Sequence, residues 1–127
     1  MTSFRTPLGR VVGLGSAKSG VHHWWMERVT ALLAVPLVVF LIGFILATAG
    51  GGHQAVVTAI RHPVVAVLLI AAIITIVRHM QLGMQVILED YVHGKVTLLA
   101  GLIANNLFCI VVAVAGVAAV IVTCFGA

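Results

Sequence analysis

The stretch Pro63–Val92, PVVAVLLIAAIITIVRHMQLGMQVILEDYV, decides the fold of this 127-residue chain. A helix that crosses the hydrocarbon core needs about 20 predominantly apolar residues, and this stretch supplies them with little interruption. Its ionisable residues include Arg78 and His79 near the middle, and the pair Asp90 and Tyr91 close to the end. Ionisable groups at membrane depth are costly and mark functional sites. The stretch therefore predicts a membrane helix that holds a cofactor or lines a substrate path.

The whole composition points to an integral membrane protein. Hydrophobic residues make up 62% of the chain and charged residues 8%, and the mean hydropathy is +1.24. A soluble domain of this size could not carry so much apolar surface. Apolar runs predict three transmembrane helices at about residues 28–50, 63–92 and 96–125, after a tail of residues 1–27. We therefore expect an all-α membrane protein, with residues 1–127 forming one domain and no room for a soluble one.

Local signals place the ends of these helices. Trp24 and Trp25 precede the first run, where an aromatic belt meets the membrane interface, and the glycines 50–52 follow it as a breaker. Pro63 suits the first turn of the second helix, and Gly94 suits a C′ cap at its end.

The basic residues predict the orientation, because Lys and Arg accumulate on the cytoplasmic side of membrane proteins. Five of them fall on one side of the predicted bundle and one on the other: Arg5, Arg10, Lys18, Arg28 and Lys95 against Arg61. The N-terminus is thus predicted to be cytoplasmic and the C-terminus periplasmic, in a cell inner membrane, with a mitochondrial inner membrane as the less favoured location. The net charge of +4 reports topology and gives no reason to expect nucleic-acid binding.

The second helix carries its small and polar residues on one stripe, which follows from 3.6 residues per turn. The stripe consists of Ala72, Thr75, His79, Gly83, Val86 and Asp90. Gly83, one turn after His79, leaves room for a flat ring beside the imidazole. Two alternatives remain open here: small residues also allow plain helix packing, and a membrane histidine can serve only to hydrogen-bond a neighbouring helix.

Haem is the cofactor that best suits His79, because imidazole is a standard axial ligand of haem iron. By helical rise, His79 lies about 24 Å from Pro63 and about 21 Å from His93, at mid-depth. The remaining histidines are expected nearer the membrane surfaces: His22 and His23 on the cytoplasmic side, His53 and His62 on the outer side, and His93 in a loop. A second axial imidazole would have to come from another chain. Arg78 is a candidate partner for a haem propionate or a partner carboxylate, and Arg28 competes for the propionate.

Asp90 and Tyr91 suit a quinone at the cytoplasmic interface. A tyrosine hydroxyl can donate a hydrogen bond to a quinone carbonyl, and a nearby acid can deliver the protons that quinone reduction requires. The alternative is a belt tyrosine beside a solvated acid. The two cysteines, Cys109 and Cys124, lack CxxC spacing and are predicted to be unpaired, inert thiols.

Two stretches carry a family resemblance that covers essentially the whole chain. Residues 19–31, SGVHHWWMERVTA, resemble the G-V-H…R-x-T-A stretch of the D-type cytochrome b membrane-anchor subunit of succinate dehydrogenase. Residues 79–92, HMQLGMQVILEDYV, are similar to that family's H-x-x-x-G-(M)-x-x-V-(L)-x-D-Y-V signature. The resemblance implies that His79 is the haem b axial ligand and Tyr91 the quinone-site tyrosine with Asp90 beside it. It places Arg28 near the haem propionates and the quinone pocket, and it implies no role for Arg78.

The resemblance predicts a non-catalytic subunit of succinate:quinone oxidoreductase, one half of a heterodimeric haem-binding anchor bundle. Such a subunit holds a flavoprotein and an iron–sulfur protein on the membrane. It shares haem b with a second three-helix anchor and helps to form the ubiquinone site. Three alternatives remain: the anchor of a quinol:fumarate reductase, an assembly anchor without haem, and a small proton-coupled transporter. A transporter would be expected to place an acid at mid-depth, whereas Glu89 and Asp90 lie at the membrane edge.

Overall fold

Helices make up almost all of the chain that the structure, a computed structural model, describes: residues 16–126, with the backbone alone for residues 16–19. They are α1 (Ser16–Thr48), α2 (Gly52–Ile60), α3 (Pro63–Tyr91) and α4 (Lys95–Phe125), and this part of the chain contains no strand. Three segments are long and apolar enough to span a membrane: Gly20–Thr48, Pro63–Tyr91 and Lys95–Phe125. The prediction of an all-α membrane protein with three spanning helices is confirmed.

The first helix begins earlier than the sequence predicted. It starts at Ser16 instead of at about residue 28, so residues 16–27, assigned to a tail, belong to α1. No proline or glycine cluster interrupts these residues, and continuing the helix keeps their backbone groups hydrogen-bonded as the chain approaches the membrane. The rest of the predicted tail, with Arg5 and Arg10, lies outside the described residues, as does Ala127.

The predicted break after the first span is present, and it is followed by a short helix that the sequence analysis did not predict. Gly52 has a φ of +62°, the one left-handed residue among residues 16–126, and it begins α2. A Cβ atom at Gly51 would collide with the Cβ of Ala55, so the turn also requires a glycine there. In α2, Val56 is half-buried whereas His53 is exposed, as in a helix that lies along a surface.

The ends of α3 agree with one prediction and correct another. Pro63 occupies the first turn, after His62 in an extended conformation, as predicted. Gly94 is not a C′ cap: α3 ends at Tyr91, and its C-cap residue is Val92, whose N–H donates to the Leu88 carbonyl at 3.0 Å. Gly94, at φ −78° and ψ 125°, is the N-cap residue of α4. The chain leaves α3 in extended backbone, so no left-handed residue is needed there.

Helix α3 packs against both α1 and α4, and it runs antiparallel to each of them. The buried cluster of Ala66, Leu69 and Val120 joins α3 to α4, and half-buried Phe40 and Phe44 of α1 cover it. Most large apolar side chains remain exposed along all three long helices. This surface is what a chain presents to lipid or to partner membrane helices.

The two ends of the bundle carry different numbers of basic residues. The Arg61 guanidinium, just after α2, donates to the Gly126 carbonyl at 3.1 Å, which places Arg61 and the end of α4 together. Lys95 begins α4 at the opposite end, and Arg28 lies in the half of α1 nearer that end. Among the described residues, the structure therefore separates Arg61 from Arg28 and Lys95 as the sequence predicted.

Candidate functional site

His79 contacts α1 through a single side-chain hydrogen bond. Its Nδ1 atom lies 3.0 Å from Oγ1 of Thr30, which is only 5% exposed. The same Oγ1 atom lies 2.8 Å from the carbonyl oxygen of Met26 and 3.0 Å from that of Glu27. The imidazole is therefore held at one nitrogen by a buried hydroxyl on the neighbouring helix.

The other nitrogen of His79 is free within the described part of the chain. Nε2 has no hydrogen-bond partner among residues 20–126, and it is not among their enclosed unpartnered atoms. One turn further along α3, a Cβ atom on Gly83 would meet nothing within 4 Å. A half-buried imidazole with one free nitrogen thus lies beside an open helix surface.

The predicted stripe on α3 is only partly covered by this chain. Ala72 is buried, Thr75, His79, Gly83 and Val86 are half-buried, and Asp90 is exposed. Within this stripe, His79 contacts α1 through Thr30.

A cavity of about 400 Å³ lies between the N-terminal part of α1 and the C-terminal half of α3. Its lining consists of Gly20, His22, His23, Met26, Arg78, Leu82, Gln85 and Glu89. Nε2 of His23 is enclosed and has no hydrogen-bond partner in the described part of the chain. The sequence reading assigned His22 and His23 only to the interface. His22 and His23 lie on the same face of α1 as Met26 and Thr30, because residues three to four apart are neighbours on a helix. This spacing could have predicted that they line the cavity.

Arg78 belongs to a polar cluster between α3 and α4. Its Nη1 donates to Oε1 of Gln81 at 2.6 Å, and the Gln81 amide donates in turn to Oδ1 of Asn106. The Asn105 amide donates to the Gln81 carbonyl at 3.1 Å, and the Cys109 thiol lies 3.6 Å from Asn105 Oδ1. Arg78 also lines the 400 Å³ cavity, so it connects this cluster to the α1 side of α3. The cluster gives the paired asparagines of α4 a structural role that the sequence reading did not assign.

The structure does not bring Arg28 to His79. The Arg28 guanidinium carbon lies 5.6 Å from the ring centroid of Trp24, on the same exposed face of α1. At about 100° per residue, Arg28 lies about 200° around the helix from Thr30. Arg28 therefore points away from the α1–α3 cavity, and a role for it near a cofactor would require a group brought by another chain.

Asp90 and Tyr91 lie at the end of α3 and are exposed, Tyr91 at 77%. Neither side chain lines the 400 Å³ cavity, although the preceding Glu89 does. The described residues of this chain do not enclose the tyrosine side chain. Both cysteines are unpaired, as predicted, with Cys109 buried and Cys124 half-buried.

Comparison with known proteins identifies the family to which this arrangement belongs. The profile of the succinate dehydrogenase/fumarate reductase transmembrane subunit family matches residues 2–123. The chain belongs to that family. The match includes α1, α2 and α3 in full and all but the last residues of α4, so the predicted resemblance is confirmed along the whole described bundle.

Individual relatives agree with this assignment. The chain is 36% identical over 117 residues to the succinate dehydrogenase hydrophobic membrane anchor subunit of Rickettsia bellii, covering 92% of this chain and 94% of the relative. It is 33% identical to the protein of the same name from Rickettsia conorii, covering 91% and 93%. A succinate dehydrogenase membrane anchor subunit of Reclinomonas americana is 30% identical over 63% of this chain and 69% of its own length. No solved structure matches at comparable significance. These names agree with the prediction of a non-catalytic anchor subunit.

Proposed function

We propose that this chain is the hydrophobic membrane-anchor subunit of a succinate:quinone oxidoreductase, that it binds haem b through His79, and that it contributes Tyr91 and Asp90 to the ubiquinone site. Family membership supports the anchor role. The observation that carries the haem assignment is the histidine held at Nδ1 by a buried hydroxyl, with Nε2 free of hydrogen bonds within the described residues.

The residues present fit a haem on three counts. His79 has an available ring nitrogen, the missing side chain at Gly83 leaves the adjoining surface open, and Arg78 supplies a cation at the edge of the 400 Å³ cavity. No group of three or more His, Cys, Asp or Glu residues able to hold a metal ion occurs in the described part of the chain. When bound, haem supplies a one-electron redox centre. His79 would be the residue of this chain that holds the haem, and any second imidazole would come from another anchor subunit.

The proposed quinone role belongs to the C-terminal end of α3. The Tyr91 hydroxyl donates a hydrogen bond to a quinone carbonyl, and the Asp90 carboxyl group next to it takes part in delivering protons. Reduction of a quinone to a quinol consumes two electrons and two protons. The electrons come from succinate through the flavoprotein and the iron–sulfur subunit. The exposure of Tyr91 fits a site that those partner subunits complete.

The names of the relatives support one direction of turnover. The family includes fumarate reductase subunits, but the relatives described above are named as succinate dehydrogenase anchors. We therefore favour succinate oxidation coupled to ubiquinone reduction, in an inner membrane with the N-terminus cytoplasmic. The alternative of an assembly anchor without haem does not explain why Nε2 of His79 has no hydrogen-bond partner among the described residues. A proton-coupled transporter finds no support in the comparisons.

Replacing His79 with Ala tests this function most directly. In the complex assembled with its other subunits, His79→Ala should abolish or alter the haem b absorption bands, because one axial ligand is lost. His53→Ala is the matched control, since His53 is exposed on α2 at the opposite end of the bundle, and it should leave the bands unchanged. Succinate oxidation with an artificial acceptor, measured in both variants, reports whether the complex has assembled. An unaltered reduced spectrum and midpoint potential in His79→Ala would contradict the haem assignment.

A further inference from the structure

Thr30 and His79 form the one side-chain hydrogen bond between α1 and α3 in the described residues, and its direction can be worked out. A threonine hydroxyl has one proton to donate and can also accept. Two backbone carbonyls lie within reach of Thr30 Oγ1, those of Met26 at 2.8 Å and Glu27 at 3.0 Å. Carbonyl oxygens cannot donate, so the hydroxyl proton is directed to them. The hydroxyl oxygen is then left to accept from His79 Nδ1–H.

We infer that Thr30 is a positioning residue that sets the tautomer and ring orientation of His79, with the proton on Nδ1 and the lone pair on Nε2. An imidazole that ligates a metal through Nε2 usually donates its other N–H to a fixed acceptor, which orients the ring and makes the ligating nitrogen more basic. Thr30 supplies such an acceptor from a neighbouring helix. This inference rests on the proposed function, because it concerns the nitrogen that the haem iron would use.

The surroundings of Thr30 fix the acceptor in place. The side chain is 5% exposed and its hydroxyl bonds to the preceding turn of its own helix, which restricts rotation of the side chain. Because α1 and α3 are packed side by side, the distance between this hydroxyl and the imidazole depends on helix packing. The orientation of the ligand is thus coupled to the α1–α3 contact and does not depend on α3 alone.

The chain contains a matched control for this residue. Thr48 lies on the same helix, is 7% exposed and donates to the Phe44 carbonyl at 2.8 Å, as Thr30 does to Met26. Thr48 has no histidine as a partner among the described residues. Thr48→Val therefore reproduces the loss of a buried hydroxyl without the effect on an imidazole.

The experiment compares Thr30→Val, Thr30→Ser and Thr48→Val in the complete complex. Thr30→Val keeps the shape of the side chain but removes the acceptor, so the ligand becomes less basic and ferric haem is stabilised less. We expect a positive shift of the haem midpoint potential, an altered electron paramagnetic resonance signal of the ferric haem, and haem retention weakened about ten- to hundredfold. Thr30→Ser and Thr48→Val should remain close to the unmodified complex. A Thr30→Val complex with the potential, signal and haem retention of Thr48→Val would overturn the inference.

A double variant covers the case in which Thr30→Val assembles poorly. If Thr30 acts through His79, the pair Thr30→Val/His79→Ala should assemble no worse than His79→Ala alone, because the second change removes a bond that has already been lost. Additive losses of assembled complex would instead assign Thr30 a packing role and overturn the inference. Failure of the proposed function is a separate result, namely an unchanged haem spectrum in His79→Ala.

Discussion

At the scale of single residues, several polar groups inside this bundle are paired with neighbouring polar groups, whereas the enclosed Nε2 of His23 has no partner among the described residues. His79 bonds to a hydroxyl, Arg78 to the Gln81 amide oxygen, and Gln81 to the asparagines of α4. An unpaired polar group in hydrocarbon costs several kcal/mol, on the order of the whole contribution of a few good contacts. The groups left open among residues 20–126, such as Nε2 of His79 and the hydroxyl of Tyr91, are therefore the ones to examine for ligands and partners.

Tyr91→Phe tests the quinone role of such an open group. The substitution keeps the ring but removes the hydroxyl, so one hydrogen bond to the quinone carbonyl should be lost. Loss of that bond costs about 1–3 kcal/mol, which corresponds to roughly ten- to hundredfold lower quinone reductase activity if the bond forms in the rate-limiting state. The measurement is succinate-dependent reduction of a soluble ubiquinone analogue by the assembled complex.

The control for Tyr91→Phe is succinate oxidation with an acceptor that takes electrons before the quinone. That activity should remain nearly unchanged, because the proposed complex carries its flavin and iron–sulfur centres in other chains. Equal losses with both acceptors would indicate failed assembly, and unchanged activity with both would make Tyr91 a belt residue without a quinone role.

At the scale of helices, α3 is held on its two sides by different means. Toward α1 it uses the Thr30–His79 bond, and toward α4 it uses the amide cluster and close packing at small residues. A Cβ atom on Gly116 would lie 3.1 Å from Cγ2 and 3.3 Å from Cδ1 of Ile73, and one on Gly101 would lie 3.4 Å from Leu88. Glycines of this kind allow membrane helices to approach closely, where dispersion contacts replace the hydrophobic effect as the source of affinity.

Gly116→Ala should therefore weaken the α3–α4 contact. The added methyl group forces Ile73 to move, and overpacking of this kind costs about 1–3 kcal/mol. The measurement is the thermal stability of the purified complex in detergent. Gly43→Ala is the control, because a Cβ atom there meets nothing within 4 Å in this chain. Ile73→Val, which removes Cδ1, should restore part of the loss when combined with Gly116→Ala. Equal stability of the Gly116→Ala and Gly43→Ala complexes would refute the proposed contact.

At the scale of the whole molecule, the bundle has more apolar surface than it can bury. Side chains such as Leu32, Leu46 and Val111 are more than half exposed along the spanning helices. The bundle is open at the C-terminal end of α3, where Tyr91 and the 400 Å³ cavity lie. Both features agree with a chain that completes its structure in lipid and with partner subunits.

The orientation of this bundle can be tested with reporter fusions. A reporter joined after Ala127 should appear on the periplasmic side, or in the intermembrane space, because Arg61 and the end of α4 share the end of the bundle with fewer basic residues. A reporter joined after His93, between α3 and α4, should appear in the cytoplasm and serves as the control. Cytoplasmic activity of the fusion after Ala127 would reverse the orientation and remove Tyr91 from the side on which the hydrophilic subunits dock.

The sequence alone determined the three spans, the break at residues 50–52, the start of α3 at Pro63 and the depth of His79. These features follow from local physics: the length needed to cross hydrocarbon, the backbone limits of glycine and proline, and the fixed rise of a helix. Only the tertiary structure decided that Thr30 contacts His79, that His22 and His23 line a cavity with Arg78, and that Arg28 faces away from it. These contacts depend on how each helix is rotated and aligned against its neighbour. When helices are apolar on nearly every face, a few close contacts and hydrogen bonds between them set their rotation and alignment. The residue pattern of a single helix does not predict these contacts.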